Sequence, residues 1–289
     1  MNNRPTLAQL RARVHKDHHR EIGNWLARKL ARPSAIYGTW LAIRLNLSAH
    51  QVTLAALAAN LLAALAIGTG ARPAFVIGVL LAHLGFWLDH VDGQVARWRG
   101  TASLDGVYLD YLMHHASSAS LGFALGYGLA ARTGHLSWTL AGFSLALGWL
   151  GLSLHNDCRY KAFFQRLKRE TRSFRVDGGS ASRPTAPPPW PRKGLPALTW
   201  PLHKANEPHI VLLALTALAL LAYPFPQTWL TLYCAGLVLM AALAPLLASA
   251  RCARALRRNA TESEFSQWFQ PVDQQSSHEI PSSKHQSLI

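Results

Sequence analysis

Residues 88–115 read LDHVDGQVARWRGTASLDGVYLDYLMHH and concentrate acidic side chains between two strongly apolar segments. Asp89 and Asp92 are three residues apart, so on a helix their carboxylates share a face. After a short turn, Asp110 and His114 are four residues apart and again share a face. Two antiparallel helices joined by this turn would therefore bring three carboxylates and one imidazole together.

Carboxylates this close repel each other unless a cation lies among them, and oxygen ligands in this number suit Mg²⁺ or Mn²⁺. Gly93, Ala96 and Gly106 carry almost no side chain on the same faces, which leaves space for a ligand against the backbone. Arg97 supplies a cation that can pair with a carboxylate or a phosphate. The alternative is a structural network of ion pairs between the carboxylates and Arg97 and Arg99, without a metal.

The rest of the chain is typical of an α-helical, polytopic integral membrane protein. Only 15% of its 289 residues are charged, whereas a soluble domain carries about 25%. Six apolar segments are each roughly long enough to cross a bilayer as a helix, although the fifth is short. We predict an all-α fold with six transmembrane helices at residues 52–69, 73–89, 106–131, 136–155, 209–223 and 228–250.

The net charge of +15 is explained by membrane topology. With the N-terminus in the cytoplasm, every Lys and Arg except Arg72 and Arg132 falls on the cytoplasmic side of the six predicted spans, as the positive-inside rule requires. A basic protein can also bind nucleic acid, but this distribution favours topology and no nucleic-acid partner. Both termini, and the acidic segment, are predicted at the cytoplasmic side.

Two basic stretches are predicted to lie in the headgroup layer, where their cations would meet anionic lipid. The first is a helix over 5–31, for which a solvated basic arm is the alternative; the second is a helix over 159–175. The proline-rich residues 182–196 cannot stay helical and are predicted to be a linker. The predicted domains are an interfacial helix (1–35), a transmembrane catalytic domain (36–255) with a cytoplasmic insertion (157–207), and a disordered cytoplasmic tail (256–289).

The acidic segment resembles the signature of the CDP-alcohol phosphatidyltransferase family, D-x2-D-G-x2-A-R-x8-G-x3-D-x3-D. Seven of the eight fixed positions match, namely Asp89, Asp92, Gly93, Ala96, Arg97, Gly106 and Asp110. Upstream, Val52 and Thr53 agree with the family's entry to the first span. Outside 48–115 the resemblance is one of topology alone.

The resemblance implies a reaction in phospholipid biosynthesis. A substituted phosphate group would pass from a CDP-linked lipid or alcohol to an acceptor alcohol, with release of CMP. Asp89, Asp92 and Asp110 would hold two divalent ions, Mg²⁺ or Mn²⁺. The small residues would make room for the nucleotide, and Arg97 would steady the carboxylates or the phosphates. A homodimer is a further expectation from the family.

The eighth position departs from the family, since His114 replaces its last Asp. In the family, that carboxylate is thought to deprotonate the acceptor alcohol and to help hold the metals. Imidazole is a competent general base but a poorer ligand for Mg²⁺ than a carboxylate. His114 is therefore predicted to be the catalytic base, and the alternative is a helix-face histidine near the headgroups, the role expected for His90.

Other functions remain open. A non-catalytic scaffold that binds lipid or nucleotide would keep the family's fold with the reaction lost. A polyprenyl transferase also uses intramembrane Asp pairs with Mg²⁺, but such enzymes usually need two Asp-rich motifs and this chain has one. A transporter is favoured least, because no inverted repeat is visible. The identity of the acceptor alcohol stays open.

Overall fold

The computed structural model describes residues 5–14, 24–171, 173–176 and 193–271. The helices in this part of the chain are α1 (Leu7–Val14), α2 (Arg32–Arg44), α3 (Ala49–Gly68), α4 (Arg72–Arg99), α5 (Leu104–Thr133), α6 (Ser137–Arg169), α7 (Leu195–Ala205), α8 (Pro208–Leu220), α9 (Pro226–Arg257) and α10 (Ala260–Trp268). A π-helical turn, Ala27–Ala31, leads directly into α2. Two three-residue strands, β1 (Phe174–Val176) and β2 (Phe269–Pro271), pair antiparallel.

Each of the six predicted apolar segments coincides with one helix, although the fifth, predicted to end at 223, ends at Leu220. By length and composition, four of these helices can cross a membrane, namely α3, α4, α6 and α9. The apolar helix α8 has only 13 residues. The multi-pass helical fold is therefore confirmed, while the count of six spans stays a prediction.

The chain divides into two units. Of the described residues, those within 1–156 and 184–252 form the larger unit, and those within 157–183 and 253–289 form the smaller one. In the larger unit α3 packs against both α4 and α5. The buried face of α3 carries small residues such as Ala56 and Ala63, whereas Leu61 and Leu65 of the same helix are exposed. Outward-facing leucines are what a lipid-embedded helix presents, because packed faces favour small residues.

Close packing of α5 on α6 depends on two glycines. A Cβ atom at Gly126 would overlap the carbonyl oxygen of Trp138 and the backbone nitrogen of Gly142, and backbone atoms cannot rotate away. A Cβ at Gly142 would lie 2.7 Å from the carbonyl oxygen of Phe123. Both positions therefore require glycine for the two helices to approach this closely.

We expect Gly126→Ala to lower the free energy of unfolding by about 1–3 kcal/mol, because the added methyl forces α5 and α6 apart. Thermal unfolding in detergent measures the change. Gly236→Ala is the control, since no atom lies within 4 Å of the Cβ position in α9. Equal unfolding midpoints for Gly126→Ala and Gly236→Ala would contradict this account of the packing.

The described helices do not follow several of the predicted boundaries. Helix α2 runs across residue 35, where the interfacial region was predicted to end. A separate interfacial helix over 159–175 is absent from the described residues there, because α6 continues without a break to Arg169 and β1 follows. Of the predicted helix over 5–31, residues 15–23 lie outside the described part. The same holds for most of the proline-rich linker, whose last two residues begin α7.

The smaller unit also corrects the predicted disordered tail. Residues 260–271 form α10 and β2, whereas 272–289 lie outside the described residues. Arg159 pairs with Glu264, and Arg166 pairs with Glu262. Rings from both sequence segments form an aromatic cluster made of Tyr160, Phe163, Phe174, Phe265, Trp268 and Phe269. These contacts supply the apolar burial that the tail's own composition lacks.

Candidate metal and catalytic centre

The facing ends of α4 and α5 bring three of the predicted site residues together. The Nε2 atom of His114 lies 3.4 Å from Asp89 Oδ1 and 3.4 Å from Asp110 Oδ1. One ligand atom from each of these residues falls within 4.8 Å of the other two. Two carboxylate oxygens and one imidazole nitrogen at this spacing fit a small divalent cation.

The local structure of the two helices explains this juxtaposition. Helix α4 ends at Gly100, whose φ of +67° is the left-handed conformation that glycine adopts most readily. Helix α5 begins after Ser103, whose hydroxyl accepts a hydrogen bond from the Gly106 amide at 3.1 Å. The tight connection holds the end of α4 near the start of α5. Asp105 lies in the first turn of α5.

Asp92 is held apart from the cluster of three. Its Oδ2 atom accepts a hydrogen bond of 2.6 Å from Thr53 Oγ1 on α3, and both side chains are buried. Asp92 is absent from the group whose atoms share the 4.8 Å spacing. Its role as a metal ligand therefore stays a prediction, whereas its hydrogen bond to α3 is a feature of the fold.

Replacing Thr53 by valine tests the importance of this bond. A buried carboxylate that loses a donor costs about 1–3 kcal/mol, so we expect Thr53→Val to lower the unfolding midpoint and the activity together. Thr69→Val is a matched control at the other end of α3, because the exposed Thr69 hydroxyl bonds only locally: it donates to the Ala66 carbonyl and accepts from the Ala71 amide. Unchanged stability and activity in Thr53→Val would show that Asp92 does not need this donor.

Part of the space predicted for a ligand is occupied by a side chain of the protein itself. A Cβ at Gly93 would meet the Arg97 guanidinium at 3.1 Å, so this glycine accommodates the arginine. A Cβ at Gly106 would make only ordinary contacts, 3.5 Å from Ser103 Oγ and 3.6 Å from His50 Nε2. Packing within the described chain therefore does not require glycine at 106, which supports the hypothesis that a ligand approaches there. Ala96 is half-buried on α4.

Arg97 and Arg99 do not form the alternative ion-pair network. The Arg97 Nε atom donates to the carbonyl oxygen of Val14 at 3.1 Å, and Arg99 donates to the Asn46 side chain. Among the described ion pairs, those of Asp89 and Asp110 are with histidines. The acidic cluster is thus not neutralised by these two arginines.

Two contacts of the site were missed from the sequence. His90 Nδ1 lies 3.8 Å from Asp89 Oδ2, whereas His114 is paired with Oδ1. Its ring also packs edge-on against Phe86. The headgroup position expected for His90 stays a prediction, and its side chain also contacts the site. Thr53 was recognised only as a match to the family pattern, and that match was the signal for its bond to Asp92.

A cavity of about 730 Å³ adjoins the cluster on α4. Asp89, His90, Gly93, Gln94 and Arg97 supply its α4 wall. Residues from α1, the π-helical turn and α2 form the opposite wall, namely Arg11, Val14, Arg28, Lys29, Arg32, Pro33 and Ile36. The cavity is therefore strongly basic and reaches the metal cluster at Asp89.

Comparison with known proteins agrees with this geometry. The sequence model of the CDP-alcohol phosphatidyltransferase family matches residues 46–153, which include every predicted site residue. A search of curated protein sequences found no significant match. Two similar solved structures are those of Mycobacterium tuberculosis phosphatidylinositol phosphate synthase (PgsA1), one in apo form and one with CDP-DAG bound.

Both likenesses have a TM-score of 0.50 at 18% sequence identity. They cover 76% and 77% of this chain, and 93% and 92% of the respective synthase chains. At this identity the likeness shows a shared fold. The match of the family model to residues 46–153 agrees with the resemblance predicted from residues 88–115.

Proposed function

We propose that this chain, whose residues 46–153 match the sequence model of the CDP-alcohol phosphatidyltransferase family, transfers a phosphatidyl-type group from a CDP-linked lipid to an acceptor alcohol and releases CMP. The observation that carries the proposal is the convergence of Asp89, Asp110 and His114 within the matched segment. The transfer of phosphatidyl groups in phospholipid synthesis is the activity of this family. Within this activity, we assign roles to individual residues of this chain.

Asp89 and Asp110 would hold the divalent cation, Mg²⁺ or Mn²⁺, with Asp92 beside them if two ions bind. A bound cation would neutralise the pyrophosphate charge and polarise the phosphorus under attack. Gly106 would leave the backbone open to the nucleotide, while Gly93 accommodates Arg97. Since Arg97 is fixed by Val14, its guanidinium offers a positioned donor to phosphate oxygens.

His114 is the proposed general base. The imidazole takes the proton from the acceptor hydroxyl as that oxygen bonds to the phosphorus farther from cytidine. The bond from that phosphorus to the bridging oxygen breaks, and CMP leaves with the electron pair. His114 is half-exposed, so an incoming alcohol can reach it. The product is a phosphodiester.

The site is proposed to face the cytoplasm, as the basic flanking segments predict. The CDP part of the donor is water-soluble and its lipid part is not. A catalytic centre near the end of α4 would be accessible to both. A homodimer is carried over as an expectation from the family.

Metal removal tests the proposed cofactor. Purified protein in detergent should lose CMP release from CDP-diacylglycerol when EDTA is added, and should regain it with excess Mg²⁺ or Mn²⁺. The reason is that the clustered carboxylates cannot hold an anionic pyrophosphate without a cation. An unchanged rate in EDTA, after exhaustive dialysis, would contradict a metal-dependent transferase.

A further inference from the structure

Two arginines converge on one tryptophan at the end of the larger unit that lies away from the metal cluster. The guanidinium carbon of Arg132 lies 5.2 Å from the centroid of the Trp229 ring, and that of Arg72 lies 5.9 Å from it. Arg72 also lies 4.5 Å from the Tyr223 ring. We call these four residues the Trp229 cluster. Asp89 follows Arg72 on α4 by seventeen residues, about 25 Å of helix, so the Trp229 cluster is remote from the proposed chemistry.

The segments that meet at the Trp229 cluster contain no acidic residue. Residues 69–75, 130–138 and 220–228 are free of Asp and Glu. Arg132 donates a hydrogen bond of 3.3 Å to a backbone carbonyl oxygen in the first of these segments, and the aromatic rings supply cation–π contacts. These partners orient the guanidinium groups but carry no net charge. The two positive charges therefore repel each other unless an anion binds between them.

Two donors of the Trp229 cluster are buried without an acceptor among the described residues. They are the Nε1 atom of Trp229 and the Nε atom of Arg72. Trp229 is only 1% exposed, and a buried N–H group without an acceptor destabilises a fold. An anion at the cluster would supply the missing acceptor and balance both charges at once. Phosphate oxygens are the best match, because they accept paired hydrogen bonds from guanidinium groups.

An apolar cavity of about 580 Å³ adjoins the Trp229 cluster. Tyr233 belongs to its lining and packs edge-on against Trp229, with the ring centroids 5.2 Å apart. Phe225 and Thr228, just before Trp229 in the chain, also line the cavity. Most of its other lining residues are aliphatic and come from α5, α6, α8 and α9. A lining of this kind suits a hydrocarbon chain, because water in a cavity needs polar partners.

We propose that the Trp229 cluster and the apolar cavity together bind one anionic phospholipid. The lipid phosphodiester accepts hydrogen bonds from Arg72, Arg132 and the Trp229 N–H, and one acyl chain occupies the cavity. The volume falls in the range of about 300 to 1,000 Å³ that ligand cavities have. A lipid fits better than a free anion, because the aromatic residues of the cluster also border the space for the chain. The site is separate from the proposed transfer and does not depend on it.

Lipid titrations test the inference on the full-length chain in detergent. Dioleoylphosphatidylglycerol should raise the unfolding midpoint, since a ligand that binds only the folded state stabilises that state. Dioleoylphosphatidylcholine has the same chains and no net charge, so its effect should be much smaller. Equal shifts with the two lipids would overturn the inference. Inorganic phosphate at constant ionic strength is the third ligand, and a shift equal to that of phosphatidylglycerol would assign the cluster to a free anion instead of a lipid.

Arginine variants locate the headgroup. Arg132→Gln should raise the apparent Kd for phosphatidylglycerol at least about tenfold, because a charged contact with the phosphate is lost. Arg132 is exposed, so this variant remains informative if Arg72→Gln fails to fold. Arg254→Gln removes an exposed arginine near the other end of α9 and is the matched control. The same Kd in Arg132→Gln as in Arg254→Gln would overturn the assignment.

A variant of Gly236 tests the position of the acyl chain. Gly236 lines the apolar cavity, and no described atom lies within 4 Å of its Cβ position. Gly236→Leu should therefore keep the lipid-free unfolding midpoint of Gly236→Ala, while its side chain competes with the acyl chain and raises the Kd for phosphatidylglycerol about tenfold. An unchanged Kd would overturn the placement of the chain in this cavity. CMP release is not measured in any of these experiments, so their outcome and that of the proposed function can be told apart.

Discussion

Replacement of Asp89 by asparagine should reduce CMP release by about a thousandfold or more, the largest effect expected of any single substitution in this chain. Asp89 is the central residue of the site, because its two oxygens contact His114 and His90. Its side chain also borders the cavity of about 730 Å³ beside α4. Metal-ion stabilisation of transferring phosphate is worth several kcal/mol, and each 1.36 kcal/mol is tenfold in rate. Asparagine keeps the shape of the side chain and removes its charge.

Asp105→Asn is the matched control for this substitution. Asp105 lies in the same signature segment but is exposed in the first turn of α5 and outside the cluster. Its variant should keep nearly full activity, and both variants should unfold at similar temperatures to the wild type. The metal concentration for half-maximal rate should rise in Asp89→Asn only. Full activity in Asp89→Asn would remove the carboxylate cluster from the reaction.

Replacement of His114 by asparagine is expected to lower kcat by about 100- to 10,000-fold, the usual contribution of a general base. Asparagine is polar and similar in size but cannot accept a proton. His114→Asp restores a basic group and should retain activity within about tenfold of wild type. CMP release under saturating donor, acceptor and Mn²⁺ measures both variants.

The metal dependence of the His114 variants separates a base from a structural ligand. If His114 acts mainly as the base, the metal concentration for half-maximal rate should change far less in His114→Asn than in Asp89→Asn. His135→Ala, an exposed histidine between α5 and α6, is the control for loss of an imidazole. Wild-type activity in His114→Asn would contradict the assignment, and recovery of activity by added metal alone would make His114 a ligand.

The cluster of Asp89, Asp110 and His114 could be predicted from spacing because it depends on local helix geometry. Asp110 and His114 are one turn apart on α5, and the short connection after Gly100 brings α4 back beside them. Asp92 shows the limit of this reasoning. Three residues rotate a helix by about 300°, which leaves Asp92 about 60° away from Asp89. That difference is enough to point Asp92 at Thr53 on α3.

Contacts between distant parts of the chain could not be predicted in the same way. The cavity beside α4 is lined by Arg11 and Arg32 from distant segments. These segments are held against α4 by hydrogen bonds from Gln94 to the Arg32 carbonyl and from Arg97 to the Val14 carbonyl. A basic amphipathic stretch read alone indicates only a membrane surface. The helix at 260–268 was missed for a similar reason, since its partners lie about a hundred residues earlier in the sequence.

The most direct test of the account is the simultaneous measurement of CMP and lipid product. Purified wild-type protein would be given CDP-diacylglycerol, Mn²⁺ or Mg²⁺, and each acceptor alcohol in turn, beside Asp89→Asn and His114→Asp. We predict that CMP and a new phosphodiester lipid form in equal amounts, only when an acceptor is present, and that Asp89→Asn forms neither. A wild type that forms neither product, beside a His114→Asp variant that forms both, would contradict the account by showing that the native chain keeps the fold without the reaction.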